Sequence, residues 1–86
     1  MPRVSQFYGI SIYLYYNDHA PPHFHAEYAE DEALFTIDRL QVWQGALPRR
    51  VRALVVEWAT LHQDELETNW GLARQGVPLQ EIEPLE

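Results

Sequence analysis

The sequence predicts an α+β domain: a small antiparallel sheet of three to four strands, followed by one long or two short C-terminal helices packed on one face. Three observations carry this reading. Between residues 7 and 45 apolar and polar side chains alternate with a period of two, as strands with one buried face do. From Pro48 onward apolar residues instead recur at spacings of three and four, the period of an amphipathic helix. The chain has 86 residues, which is room for one core and not two. The expected layout is a single domain over 1–86, strand-rich in 1–46, helical in 47–76 and extended in the tail 77–86.

The first strand is expected in "FYGISIYLYY" (7–16), with Tyr8, Ile10, Ile12, Leu14 and Tyr16 inward and Phe7, Gly9, Ser11, Tyr13 and Tyr15 outward. "NDHAPP" (17–22) reads as a turn, because consecutive prolines forbid helix and hold the chain extended. "HFHAEY" (23–28) alternates again. Its Phe24, Ala26 and Tyr28 form the core face, which leaves His23, His25 and Glu27 on the opposite face. "EYAEDEA" supplies the turn to "ALFTID" (33–38), and "LQVWQG" (40–45) is a short fourth strand ending at Gly45.

Pro48 suits a first helical turn, where its missing N–H has no helical partner to lose. Val51, Leu54, Val55, Trp58, Leu61, His62, Leu66, Trp70 and Ala73 then make one stripe, running to Arg74 with Gly76 as the stop. The stripe is compatible with one helix or with two broken near "HQDE" (62–65). His62 sits mid-stripe in the row Leu54, Trp58, His62, Leu66, Trp70. It is expected as a buried core histidine bonded to a backbone carbonyl or a nearby acid. A sharper alternative has it facing the strand histidines, which the alternation of "HFHAEY" opposes. In the tail, Leu79 and Ile82 are the expected anchors. Trp43, Trp58 and Trp70 are simplest as core aromatics, and an exposed one would mark an interface.

Composition excludes several functions. Without cysteine there is neither a disulfide framework nor a thiolate metal site. No apolar run reaches a membrane span, and the opening "MPRVSQF" has no signal-peptide core, so a cytoplasmic protein without membrane association is expected. Thirteen acidic residues against six basic ones, all arginine, give a net charge of −7, which disfavours nucleic acid as a partner.

The chemistry concentrates in "NDHAPPHFHAEY" (17–28), which holds three of the four histidines. As a metal site, His23 and His25 share one side of a strand and His19 is the third ligand, with Asp18 or Glu27 as alternatives. As an acid/base site, His23 and His25 are the catalytic pair of a phosphodiester-cleaving enzyme. As a turn, Asn17 and Asp18 cap it, and the histidines are half-exposed strand residues bonded to backbone or Glu27. No cofactor is required by this inventory, and a divalent metal ion is the one it can accommodate. Arg49, Arg50 and Arg52 crowd the first helical turn, where free N–H groups and guanidinium groups together make an anion-binding end; the plainer account pairs them with Asp38 or Glu57.

These segments carry a resemblance. "MPRVSQFYGISIYLYYNDHAPPHFHAEY", "GALPRR", "VVEWATLHQDELETNW" and "IEPL" resemble, in order, the bacterial family called domain of unknown function 4160. The resemblance implies that Asp18, His19, Pro21, Pro22, His23, His25 and Leu47 to Arg50 are family motifs. It also implies a gene encoded beside another small protein, in pairs suspected of being toxin–antitoxin modules. The expected function is therefore a protein-binding module, one component of such a pair, whose partner is the neighbouring gene's product. The alternative is a histidine-dependent nuclease or metal-dependent hydrolase using "DHAPPHFH". A homodimer through an exposed aromatic sheet face bearing Tyr13 and Tyr15 is the third expectation.

Overall fold

The computed structural model describes residues 2–86; Met1, the first residue of the expected domain span, lies outside them. Five strands, β1 (Arg3–Phe7), β2 (Ile10–Tyr13), β3 (His23–Tyr28), β4 (Asp31–Thr36) and β5 (Val42–Gly45), form one antiparallel sheet in sequence order. Two helices follow, α1 (Arg49–Leu61) and α2 (Gln63–Gln75). The α+β class and the C-terminal helices are as expected, but the strand count is five rather than three to four.

The difference lies at Tyr8 and Gly9. Alternation ran a single strand through them, yet both have positive φ (50° and 78°) and form a two-residue turn that pairs Phe7 with Ile10. Positive φ at both central positions matches the turn twist to that of the flanking strands. Asn-Gly is the usual signal for such a turn, and here Tyr8 replaces the Asn with its ring 59% exposed. "RVSQF" therefore becomes β1, burying Val4 and Phe7, while Ile10, Ile12 and Leu14 keep their inward face. Tyr16 is exposed and not inward.

The β3–β4 hairpin also closes through two residues, Ala29 (φ 53°) and Glu30, pairing Tyr28 with Asp31, so β4 begins two residues earlier than "ALFTID" suggested. In β5 the register skips a residue: Leu34 faces Gln44 and Phe35 faces Val42, which leaves Trp43 as a bulge. Gly45 follows from the same crowding, since a Cβ there would meet the Glu32 carbonyl oxygen at 2.2 Å.

The core lies between the sheet and the helices. Phe24 and Phe35 stack at 5.3 Å, and Trp58 of α1 packs on Phe7 (5.3 Å) and Phe24 (6.1 Å). Val51, Val55 and Ala59 complete the buried stripe of α1. Pro48 is the residue before the helix rather than its first turn.

The helical region is two helices, broken at His62 (φ −125°, ψ 25°). His62 is half-buried at the break instead of embedded in a continuous stripe. Its ring packs on Trp58 at 5.6 Å and its Nδ1 lies 2.6 Å from the Glu65 carboxylate. Gln63, the first residue of α2, donates its side-chain N–H to the carbonyls of Ile37 (2.6 Å) and Asp38 (3.0 Å), tying the new helix to the end of β4. Gly76 ends α2 in the left-handed conformation, and the Val77 N–H reaches back to the Leu72 carbonyl.

The tail returns across the molecule. Asn69, fully buried, donates to the Gln80 carbonyl (2.8 Å) and accepts from the Gln80 N–H (2.9 Å). The Ile82 N–H then donates to the Val4 carbonyl on β1 (2.8 Å), and the Trp58 indole N–H to the Glu83 carbonyl (2.8 Å). Asn69→Ala removes two hydrogen bonds at a buried site and is expected to destabilise the fold by about 1–3 kcal/mol. Urea unfolding measures the loss, and limited proteolysis should show earlier cleavage within 77–86.

Candidate metal centre

β3 and the loop before it place Asp18, His23 and His25 together. One ligand atom from each lies within 4.8 Å of the other two. The Asp18 Oδ2 is 3.3 Å from His23 Nε2 and 2.9 Å from His25 Nε2. His23 and His25 share a face because they are two residues apart on a strand, and the loop through Pro21 and Pro22 brings Asp18 back over them. The Ile37 N–H donates to the Pro22 carbonyl (3.0 Å), which anchors that loop to the sheet.

The far side of each imidazole is also occupied. His23 Nδ1 lies 2.7 Å from the Pro21 carbonyl, which only accepts, so Nδ1 carries the proton and donates. In the neutral ring, Nε2 then has a lone pair, and it faces a carboxylate oxygen. His25 stands between two carboxylates, Glu32 at Nδ1 (3.1 Å) and Asp18 at Nε2 (2.9 Å). Neutral histidine has one proton for those two acceptors. Acceptors therefore outnumber the N–H donors of two neutral rings at this convergence, and a cation among the three atoms would satisfy them. An Nδ1–H held by a carbonyl or a carboxylate, with Nε2 left to the metal, is the usual arrangement of ligating histidines. Ligands of a tetrahedral ion bonded at about 2.0–2.1 Å stand roughly 3.3 Å apart, and the Asp18 contacts are close to that.

The surroundings favour cations. Tyr15 sets its ring edge against His25 at 4.5 Å and stacks on Tyr13 at 6.1 Å. Its phenol is raised above the usual 10.0, first by burial and then by the negative charges of Glu27 and Glu32, with smaller contributions from Tyr13 and Asp18. Burial is the larger cause, and the carboxylates that add to it give the site negatively charged surroundings.

Alternation placed His23 on the face away from the helices as a half-exposed residue, yet it is 3% exposed. Two indoles account for that. The bulge turns Trp43 onto the ring at 5.0 Å, and Trp70 reaches it from α2 at 5.4 Å. His25 bonds to Glu32 rather than Glu27. His19 is exposed and outside the convergent group, and His62 is not part of it. Arg49, Arg50 and Arg52 are exposed at the start of α1 and form no ion pair among the described residues, with Asp38 and Glu57 included. Glu32 was not singled out from the sequence. The two-residue turn at Ala29–Glu30 sets Glu27 opposite Glu32 and so brings Glu32 diagonal to His25, but that turn has no Gly or Asn to announce it.

The sequence model of the family described as domain of unknown function 4160 matches residues 9–71. The chain belongs to this family. The matched span includes Asp18, His23, His25, Glu32, Trp43 and Trp70. No curated protein and no solved structure matches the chain. Among the described residues no helix is long and apolar enough to cross a membrane.

The tyrosine gives a pH prediction. A raised phenol pKa favours the neutral form in the folded state, so this contribution to stability is complete below about 10, the unfolded value. It is lost as pH rises from there through the folded pKa. A phenolate-absorbance titration should show a late-ionising component that is missing from Tyr15→Phe, whose stability should fall less over the same alkaline window.

Proposed function

We propose that the chain is a divalent-metal-binding, protein-docking module, one component of a two-protein pair of the toxin–antitoxin kind, acting in the cytoplasm. The observation that carries the metal is the convergence of His23 Nε2, His25 Nε2 and Asp18 Oδ2, each imidazole being oriented from behind by an acceptor. Two imidazoles and one carboxylate suit zinc, and also other divalent first-row metals. His23 and His25 are then ligands, and Glu32 orients His25. His19 is left as a motif residue free to meet a partner.

Docking is supported by what surrounds these ligands. Trp43 beside His23 is 42% exposed, as an interface aromatic is, and Tyr13 and Tyr15 continue the face. The partner we propose is the small protein encoded by the neighbouring gene. A second copy of this chain is the competing occupant, and the net charge of −7 weighs against it as it does against nucleic acid.

A second reading, a metal-dependent hydrolase, rests on one feature. Three protein ligands leave a coordination position for water, and a bound metal makes such water nucleophilic. A metal-free acid/base pair fits less well, because the Nε2 atoms face a carboxylate and the Nδ1 atoms are engaged. Arg49, Arg50 and Arg52 are the phosphate clamp this reading would call on.

Calorimetric titration of the tag-free protein with Zn²⁺, Ni²⁺ and Mn²⁺ is expected to show one site with Kd on the order of 1 μM or tighter. His23→Ala should abolish it, and Glu32→Gln should weaken it by about 10–100-fold, as loss of an orienting partner does. Absence of saturable binding for all three metals would overturn the metal assignment. Co-expression with the neighbouring gene product should give one co-eluting peak in size-exclusion chromatography; two separate peaks count against docking. RNA cleavage lost in both His23→Ala and His25→Ala would instead promote the hydrolase.

A further inference from the structure

A cleft of about 180 Å³ opens next to the histidine site, lined by Pro22, Ile37, Asp38, Glu67 and Trp70. We propose that this cleft binds an arginine side chain presented by a partner protein, an inference that rests on the docking reading and names the chemistry of what docks.

The cleft is built from elements already fixed. Its floor is the junction where Gln63 holds the Ile37 and Asp38 carbonyls to the start of α2. Glu67 stands one helical turn beyond Gln63, and Trp70 three residues further, on the same face of α2. Pro22 closes the other side, held by its carbonyl to the Ile37 N–H. The lining thus combines an indole-bearing and a proline residue, the edge of the core at Ile37, and two acidic residues. Neither Asp38 nor Glu67 forms an ion pair among the described residues.

That combination selects a long cationic side chain. Its methylenes need the apolar walls and its charge needs the carboxylates. Arginine is preferred over lysine because a planar guanidinium both stacks on indole and forks onto carboxylate oxygens. The chain itself shows the affinity of this indole for guanidinium, as Arg74 lies over the Trp70 ring at 5.9 Å without lining the cleft. The net charge of −7 favours a basic partner for the molecule as a whole. Trp70 is shared by the cleft and by His23, so an occupied cleft adjoins the metal ligands.

The test uses the full ¹⁵N-labelled chain, titrated with N-acetyl-arginine amide and, separately, with N-acetyl-leucine amide, while the indole N–H signals are followed. Trp70 should shift saturably with arginine amide, with Kd on the order of 1 mM for so small a probe. Leucine amide should not reproduce the shift, and the double variant Asp38→Asn, Glu67→Gln should weaken binding about tenfold or more. Trp58, whose N–H is bonded to the Glu83 carbonyl, is the internal check that each variant is folded. Three results would each overturn the proposal: no saturable shift, an equal response to leucine amide, or full affinity in the folded double variant. A complex with the neighbouring gene product that survives that double variant would sink the cleft while leaving docking intact. Absence of any complex, with arginine amide still bound, would do the reverse.

Discussion

Trp58 is the residue on which the separate parts of the fold depend. Its indole body fills the space between Phe7 of β1, Phe24 of β3 and the half-buried His62, while its N–H reaches the backbone of the returning tail. A domain of this size buries little surface relative to a larger one, so one aromatic that touches sheet, helix break and tail has unusual leverage. Trp is suited to the position because its large apolar area carries a single polar atom that must be satisfied when buried, and here the tail carbonyl satisfies it. With the tail held there and clamped by Asn69, the edge strand β1 gains a partner through Ile82. The other edge, β5, has only its bulge to interrupt it.

The candidate site depends on a different constraint, an imbalance of donors and acceptors. Asp18 and Glu32 accept only, and the Pro21 carbonyl accepts only, yet all three are aimed at two imidazoles. A structural turn needs no such surplus of acceptors. Nor does it need His23 enclosed by two indoles, because a histidine required only for strand pairing could remain in water. Enclosure strengthens every electrostatic interaction inside and makes an unmet lone pair costlier. The converging acceptors and the enclosure are the two features on which the proposed cation site rests.

The class of the fold, the helical stripe, the stop at Gly76 and the core faces of β2 and β3 were legible in the sequence, because each follows from a period that burial enforces. Breaks in the strand period were not legible. Tyr8–Gly9 satisfied the alternation and still turned the chain, since the turn is decided by backbone φ and Tyr8 gives no warning of it. Trp43 followed the strand pattern and was displaced by one residue of bulge. The parting of the two helices at His62, by contrast, is one of the two layouts the stripe allowed near residues 62–65. At the site, His23, His25 and Asp18 could be named from their own segment, whereas Glu32, Trp43 and Trp70 arrive from three other elements. Only hairpin register and helix packing bring those together.

The Trp70 ring joins the two halves of the functional argument. It packs against His23 and also lines the cleft that Asp38 and Glu67 share. A side chain entering that cleft covers part of the indole beside His23, which is itself already buried. Excluding water lowers the local dielectric and would strengthen the attraction between a cation held there and the carboxylates of Asp18 and Glu32. By linkage, a metal that is held more tightly when the cleft is filled must also make the cleft hold its occupant more tightly. If the proposed metal and partner both bind, the Trp70 indole, which touches His23 and lines the cleft, is the element through which the two would be coupled.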